Sequence, residues 1–125
     1  MKRDIENMDD IKLMVDTFYQ RIRENEVLGP IFQERIENRW QEHLDKMYRF
    51  WQTILLGERT YTGAPFPPHA KMPIDESHFI IWVKHFTQTV DDFFEGENAE
   101  EAKKRATLMA AIFNSKLEYF KNNNL

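Results

Sequence analysis

The segment "APFPPHAKMPID" at residues 64–75 places a histidine where chemistry explains its position better than packing does. His69 directly follows Pro67 and Pro68, and Pro73 comes four residues later. Because proline lacks a backbone N–H and disfavours helix at the residue before it, His69 cannot lie deep inside a long helix. Loop residues carry function more often than core residues do, and imidazole is a common metal ligand. His69 is therefore the first candidate for a metal ligand.

Three further residues with polar groups lie on apolar helix faces that should be buried away from water, namely Tyr19, His43 and Trp82. Each has an ordinary explanation, since a buried tyrosine finds a local acceptor and a lone histidine or tryptophan on such a face usually packs. One scheme uses all four residues: His69 binds a metal centre from one side, and the other three supply polar tips on the opposite side. A flat apolar cofactor would also explain the ten Phe, four Tyr and three Trp.

Other chemistries find little support in the sequence. His78 and His85 are seven residues apart near one helix edge, but no carboxylate or cysteine completes a ligand set. Both histidines are therefore interpreted as boundary residues. A serine triad could use only Ser77 or Ser115, and neither stands in an elbow-like turn. The four scattered glycines form no phosphate-binding loop.

Length and composition indicate one globular domain over residues 1–125, with 42% hydrophobic and 30% charged residues. A net charge of −4 without a basic stripe predicts that nucleic acid is not a partner. The absence of cysteine excludes disulfides and cysteine-based metal sites. No secretory h-region and no run of 18 apolar residues occur, so we expect a cytoplasmic protein that does not bind membranes.

The apolar periodicity predicts three helices in the first half of the chain. The stripe of the first helix consists of Ile11, Met14, Val15, Phe18, Tyr19 and Ile22. A short second helix has Pro30 in its first turn and ends at about Glu37. The third helix has Gly57 as its C-cap, and its apolar residues are Trp40, Leu44, Met47, Tyr48, Trp51, Ile54 and Leu55.

The periodicity stops over residues 58–74, a length at which irregular connections are usually functional or disordered. Function is favoured because this segment contains apolar residues able to pack, namely Tyr61, Phe66 and Met72. Asp75 then suits the N-cap of another helix, whose apolar residues are Phe79, Trp82, Val83, Phe86, Val90 and Phe93.

For the last helix, Asn98 and Glu101 resemble a capping box. Its apolar stripe is expected to consist of Ala102, Ala106, Met109, Ile112, Phe113, Leu117 and Phe120. No β-alternation is present anywhere in the sequence. The predicted fold class is therefore all-α.

Four blocks, in their order and spacing, resemble the truncated haemoglobins, specifically the third group of that family. They are "FYQRIRENEVLGPIF" at 18–32, "WQEHLDKMYRFW" at 40–51, "LLGERTYTGAPFPPH" at 55–69 and "HFIIWVKHF" at 78–86. The paired glycines that other groups carry near the ends of the first and third long helices do not occur here. The resemblance implies a single truncated-globin domain, a two-on-two helical sandwich around a haem.

The resemblance also implies roles for individual residues. His69 matches the proximal ligand that bonds the iron, and Tyr19, His43 and Trp82 match residues on the distal, gas-binding side. Cofactor contacts are expected from Phe18, Phe32, Met47, Phe50, Tyr61, Met72, Phe79 and Ile112. Lys46, one turn beyond His43, is expected to pair with a haem propionate, and a solvated helix face is the alternative for this residue.

The function implied is binding of dioxygen, nitric oxide and carbon monoxide at a five-coordinate iron. The haem is expected to be non-covalent haem b, since no C-x-x-C-H motif occurs. Several distal donors should hold oxygen tightly, which favours oxygen, nitric oxide or peroxide chemistry over bulk oxygen transport. A monomer served by an unidentified reductase is expected. Whether the protein is an enzyme or only an oxygen-binding protein stays open, and a haem-free helical interaction or sensor module is the alternative.

Overall fold

The computed structural model describes residues 2–58 and 75–123, and these residues form five helices joined by short connections. The helices are α1 (Met8–Glu24), α2 (Leu28–Ile36), α3 (Trp40–Leu56), α4 (Glu76–Phe93) and α5 (Glu97–Asn123). No strand occurs within the described part of the chain, and the predicted all-α class is confirmed. Over the same ranges, no helix is long and apolar enough to cross a membrane.

The helix ends that local sequence signals predicted are present. Gly57 ends α3 in the left-handed conformation, with a φ of 72°, which glycine adopts without steric cost. Asp75 is the N-cap of α4, and its carboxylate accepts a hydrogen bond from the backbone N–H of Ser77 at 2.9 Å. Pro30 lies in the first turn of α2, where its missing N–H has no helical partner to lose.

The helices pack as two pairs, α1 with α3 and α4 with α5. Helix α1 also contacts α2 and α4, and α3 contacts α5, so α1 joins one pair to the other. All six predicted stripe residues of α1 are buried. The ring of Phe18 meets that of Phe86 edge-on, with 5.2 Å between centroids, at the junction of the two pairs. The arrangement confirms the predicted two-on-two sandwich.

The start of α5 differs from the predicted capping box. The helix begins at Glu97, which leaves Asn98 inside the first turn. The capping carboxylate belongs to Asp4, which accepts from the N–H groups of Asn98 at 2.9 Å and Ala99 at 2.8 Å. Gly96 permits this approach, because a Cβ there would lie 2.6 Å from Asp4 Cγ and its φ is +144°. The prediction was wrong because the cap comes from the opposite end of the chain.

Among the predicted stripe residues of α5, Ala102, Ala106 and Leu117 are buried, Met109 and Phe113 are half-buried, and the side chain of Ile112 is 41% exposed. The side chain of Phe120 lies outside the described part of the chain. Ala110, which the prediction did not include, is also buried. Residues in a helix advance by about 100° each, so Ile112 is turned about 200° away from Ala110. Alanines spaced by four define the core face, and the isoleucine lies on the opposite side.

A hydrogen-bond network joins the end of α1 to α4. The side-chain oxygen of Asn25 accepts from the N–H groups of Val27 and Leu28, each at 2.9 Å. This fixes the amide orientation, and Asn25 Nδ2 lies 3.1 Å from Nε2 of His85. Because Nδ2 can only donate, His85 must accept at Nε2, and its ring is neutral with the proton on Nδ1. His85 is half-buried, in agreement with its interpretation as a boundary residue.

This network makes folding stability depend on pH. Burial lowers the pKa of His85 below 6.5, and the charges of Arg21 and Lys84 lower it further. The unfolded chain therefore binds more protons in acid, so the free energy of unfolding falls as pH drops below about 6.5 toward the folded-state pKa. Above about pH 6.5 the contribution of His85 to the free energy of unfolding no longer changes with pH.

We predict that His85→Gln, which can still accept from Asn25, reduces the pH dependence of stability. Urea unfolding at about pH 7.5 and about pH 5 measures the free-energy difference for the wild type and the variant. The wild type should lose more stability on acidification than the variant does. An equal loss in both proteins would show that His85 does not titrate between those two values.

Candidate functional site

A cavity lies between the two helix pairs, and its walls are mostly aromatic and aliphatic. The wall from α1, α2 and α3 consists of Val15, Phe18, Tyr19, Leu28, Phe32, Met47, Phe50 and Trp51. The wall from α4 and α5 consists of His78, Phe79, Trp82, Phe86, Met109 and Phe113. Such a surface would bind a flat apolar molecule, with specificity from the few polar groups that reach it.

Tyr19 brings a hydroxyl group to this apolar wall. Its side chain is buried, and no described residue forms a hydrogen bond with the hydroxyl. Burial raises the pKa of Tyr19 well above its ordinary value of 10, so the group remains an O–H donor. A buried polar group without a partner costs about 1–3 kcal/mol. A bound molecule that accepts from this hydroxyl would recover that cost.

Trp82 brings a second donor from the opposite helix pair. Its ring meets Phe18 edge-on, with 5.3 Å between centroids, and stacks on Phe86 at 6.0 Å. These contacts hold the indole in one orientation against the cavity. Among the described residues, the indole N–H has no hydrogen-bond acceptor. Two of the three predicted distal residues thus line one cavity.

His43 occupies a different position from the other two distal candidates. It packs edge-on against the Tyr19 ring, with 4.9 Å between centroids, and is not among the residues that line the cavity. The ring centroid of Trp40 lies 6.3 Å from that of His43 and 6.1 Å from that of Tyr19. The guanidinium carbon of Arg23 lies 4.4 Å from the Trp40 ring centroid. His43 therefore contacts the Tyr19 ring without lining the cavity itself.

The predicted cofactor contacts divide into three sets. Five of them line the cavity, namely Phe18, Phe32, Met47, Phe50 and Phe79. Two do not, because Ile112 is exposed and Lys46 lies in an exposed ion pair with Glu42 at 3.4 Å. His69, Tyr61 and Met72 lie outside the described residues.

Sequence reasoning did not assign His78 to the cavity. The side chain lies in the first turn of α4 and lines the cavity, one turn before Trp82 on the same helix face. The spacing of four to Trp82 was the signal that could have identified it. Phe86, which is eight residues beyond His78, continues the same face into the cavity.

Two helix pairs that enclose an apolar cavity have the architecture of a globin, and the comparisons with known proteins agree. Residues 4–115 match the family described as bacterial-like globin. The chain is 32% identical over 121 residues to the group 3 truncated hemoglobin ctb of Campylobacter jejuni subsp. jejuni serotype O:2. That match covers 94% of this chain and 95% of the relative.

A solved structure gives the same result. The crystal structure of the group III truncated hemoglobin from Campylobacter jejuni matches with a TM-score of 0.84 and 32% identity, over 94% of this chain and 95% of that one. The chain therefore belongs to the bacterial-like globin family. The resemblance to the third group of truncated haemoglobins is confirmed, and family membership implies haem binding.

Tyr19 and Tyr48, both buried, give a matched test of whether the Tyr19 hydroxyl serves stability. The Tyr48 hydroxyl donates to the carboxylate of Asp16, whereas the Tyr19 hydroxyl has no partner among the described residues. Tyr48→Phe should lower the free energy of unfolding by about 1–2 kcal/mol, whereas Tyr19→Phe should not lower it, because it removes a buried hydroxyl that has no partner among the described residues. Urea denaturation of the cofactor-free protein measures both. A loss in Tyr19→Phe as large as that in Tyr48→Phe would show a structural role.

Proposed function

We propose that this protein is a single-domain globin, residues 1–125, that binds one non-covalent haem b in the cavity. The observation that carries the proposal is the Tyr19 hydroxyl, which lies in an apolar wall as a donor without a partner among the described residues. The aromatic walls suit the faces of a flat macrocycle, and the cavity presents few polar groups that such a ring would leave unsatisfied. The residues present therefore fit haem.

His69 would hold the haem as its axial ligand. Its motif matches the proximal histidine of the third-group truncated haemoglobins, and neutral imidazole is a common haem-iron ligand. The flanking prolines restrict the loop before folding, which lowers the entropy cost of ordering this side chain. With His69 as its protein ligand, a bound haem would supply a five-coordinate iron able to bind dioxygen, nitric oxide or carbon monoxide.

Tyr19 and Trp82 would act on the gas. Their O–H and N–H groups reach the cavity from α1 and α4, on opposite helix pairs. Donors at these positions would stabilise partial negative charge on a small ligand held beside them. Because the walls exclude water, each hydrogen bond is stronger than it would be on the surface. His43 would orient Tyr19 through the edge-on ring contact at 4.9 Å.

Tight binding favours chemistry on the gas over its delivery. A bulk carrier must release oxygen readily, and two donors on one small ligand oppose release. We therefore propose oxygen, nitric oxide or peroxide chemistry by a cytoplasmic monomer that draws electrons from a reductase. Reversible oxygen binding without turnover is the other activity that the same donors would support.

The first test is haem uptake by the purified protein. Titration of the cofactor-free chain should give a Soret band that saturates at one haem per chain. His69→Ala should weaken haem binding strongly, because it removes the axial ligand. His85→Ala, a histidine hydrogen-bonded to Asn25 at the junction of α1 and α4, is the matched control and should retain haem. Equal retention by His69→Ala and the wild type would overturn the assignment.

The second test is oxygen release measured by stopped flow. Tyr19→Phe and Trp82→Phe remove one donor each, and together they should accelerate release by about 10- to 100-fold. Tyr48→Phe is the control, because this tyrosine donates to Asp16 and does not line the cavity. Release from the wild type as fast as from the double variant would show that the donors do not contact the ligand.

A further inference from the structure

One ring nitrogen of His78, Nδ1, takes part in the capping box at the start of α4. The backbone N–H of Asp75 donates to His78 Nδ1 at 3.0 Å, which completes a reciprocal capping box at the start of α4. Because Nδ1 accepts, the neutral ring carries its proton on Nε2. If the ring takes a second proton, Nδ1–H donates a hydrogen bond to Asp75 Oδ1 at 3.1 Å, and Nε2 also carries a proton. Nε2 is thus a donor in either charge state.

The Nε2 donor has no partner among the described residues and belongs to a side chain at the edge of the cavity. His78 lines the cavity while its side chain remains 19% exposed, so it reaches both the interior and the solvent. No described residue accepts a hydrogen bond from Nε2. Trp82, one turn further along α4, lines the same cavity.

The geometry points to a specific role, and it rests on the haem binding proposed above. We infer that His78 donates a hydrogen bond from Nε2 to a propionate carboxylate of the bound haem. The propionates are the only anionic groups of haem b, and an apolar cavity leaves them at its solvent-facing edge. The positive end of the α4 dipole adds attraction for a carboxylate. Lys46, from which this contact was also expected, forms an exposed ion pair with Glu42 on the surface, and its contact with a propionate stays a prediction.

The alternative is that His78 only caps α4, and two substitutions separate the roles. Gln at this position can accept from the Asp75 N–H and also donate. Glu can accept in the same capping box but has no donor and would repel a carboxylate. The thermal unfolding of the two cofactor-free variants should be similar, which would show that both retain the cap.

The decisive experiment pairs these variants with two cofactors. Haem and haem dimethyl ester, in which both carboxylates are esterified, are titrated into cofactor-free wild type, His78→Gln and His78→Glu. We expect His78→Gln to bind haem within about threefold of the wild type and His78→Glu to bind it at least about tenfold more weakly. With the ester, His78→Glu should bind as His78→Gln does.

The outcomes distinguish this inference from the proposed function. Equal binding of haem by the Glu and Gln variants would leave His78 only as a cap and overturn the inference. An equal weakening of haem and ester by His78→Glu would also overturn it, because the effect would not depend on the carboxylate. Wild type that takes up neither cofactor would instead contradict haem binding itself.

Discussion

The burial of the α1 stripe between α3 and α4 is the interaction on which the rest of the structure depends. Ile11, Met14 and Ile22 have no exposed surface, and Phe18 is 2% exposed. Full burial of each such side chain contributes about 1.5–3 kcal/mol. Because α1 contacts both helix pairs, this packing fixes the distance between them and hence the width of the cavity. The same packing positions Tyr19, the next residue after Phe18, in the wall of the cavity.

The polar groups that stabilise the fold are distinct from the two donors that line the cavity. Asp4 accepts from two N–H groups of α5, Asn25 accepts from the N–H groups of Val27 and Leu28 at the start of α2, and Asp16 accepts from Tyr48. These contacts tie chain segments together at the periphery. In the cavity, by contrast, Tyr19 and Trp82 present donors for which the described residues provide no acceptor. Because neither donor has a partner within the described ranges, both are available to a molecule bound in the cavity.

The features that the sequence predicted correctly are those set by neighbours along the chain. The α1 stripe, the Gly57 C-cap and the Asp75 N-cap follow from periodicity and local backbone chemistry. The cap that Asp4 provides to α5 could not be found in this way, because its partners are 94 and 95 residues away. Ile112 was misplaced because a helix with alanines on its core face gives a weak hydrophobic contrast.

In the candidate site too, the sequence predicted which helix face a residue lies on better than it predicted the position of each side chain. Tyr19 and Trp82 were identified because each lies on an apolar stripe where a polar tip is unusual, and both line the cavity. His43 was expected beside them but packs behind Tyr19, since a stripe predicts the face of a helix and not the depth of each side chain. His78 was missed because its capping role at the start of α4 conceals its place on the cavity rim.

The central claim is that Tyr19 and Trp82 direct donors at a gas bound to haem in this cavity. The most direct measurement is the infrared C–O stretching frequency of the carbon monoxide complex. Donors near the oxygen of carbon monoxide polarise it and lower this frequency. The account predicts a low frequency in the wild type that rises in Tyr19→Phe and in Trp82→Phe, with no change in Tyr48→Phe. The same frequency in the wild type and in both cavity variants would contradict the account.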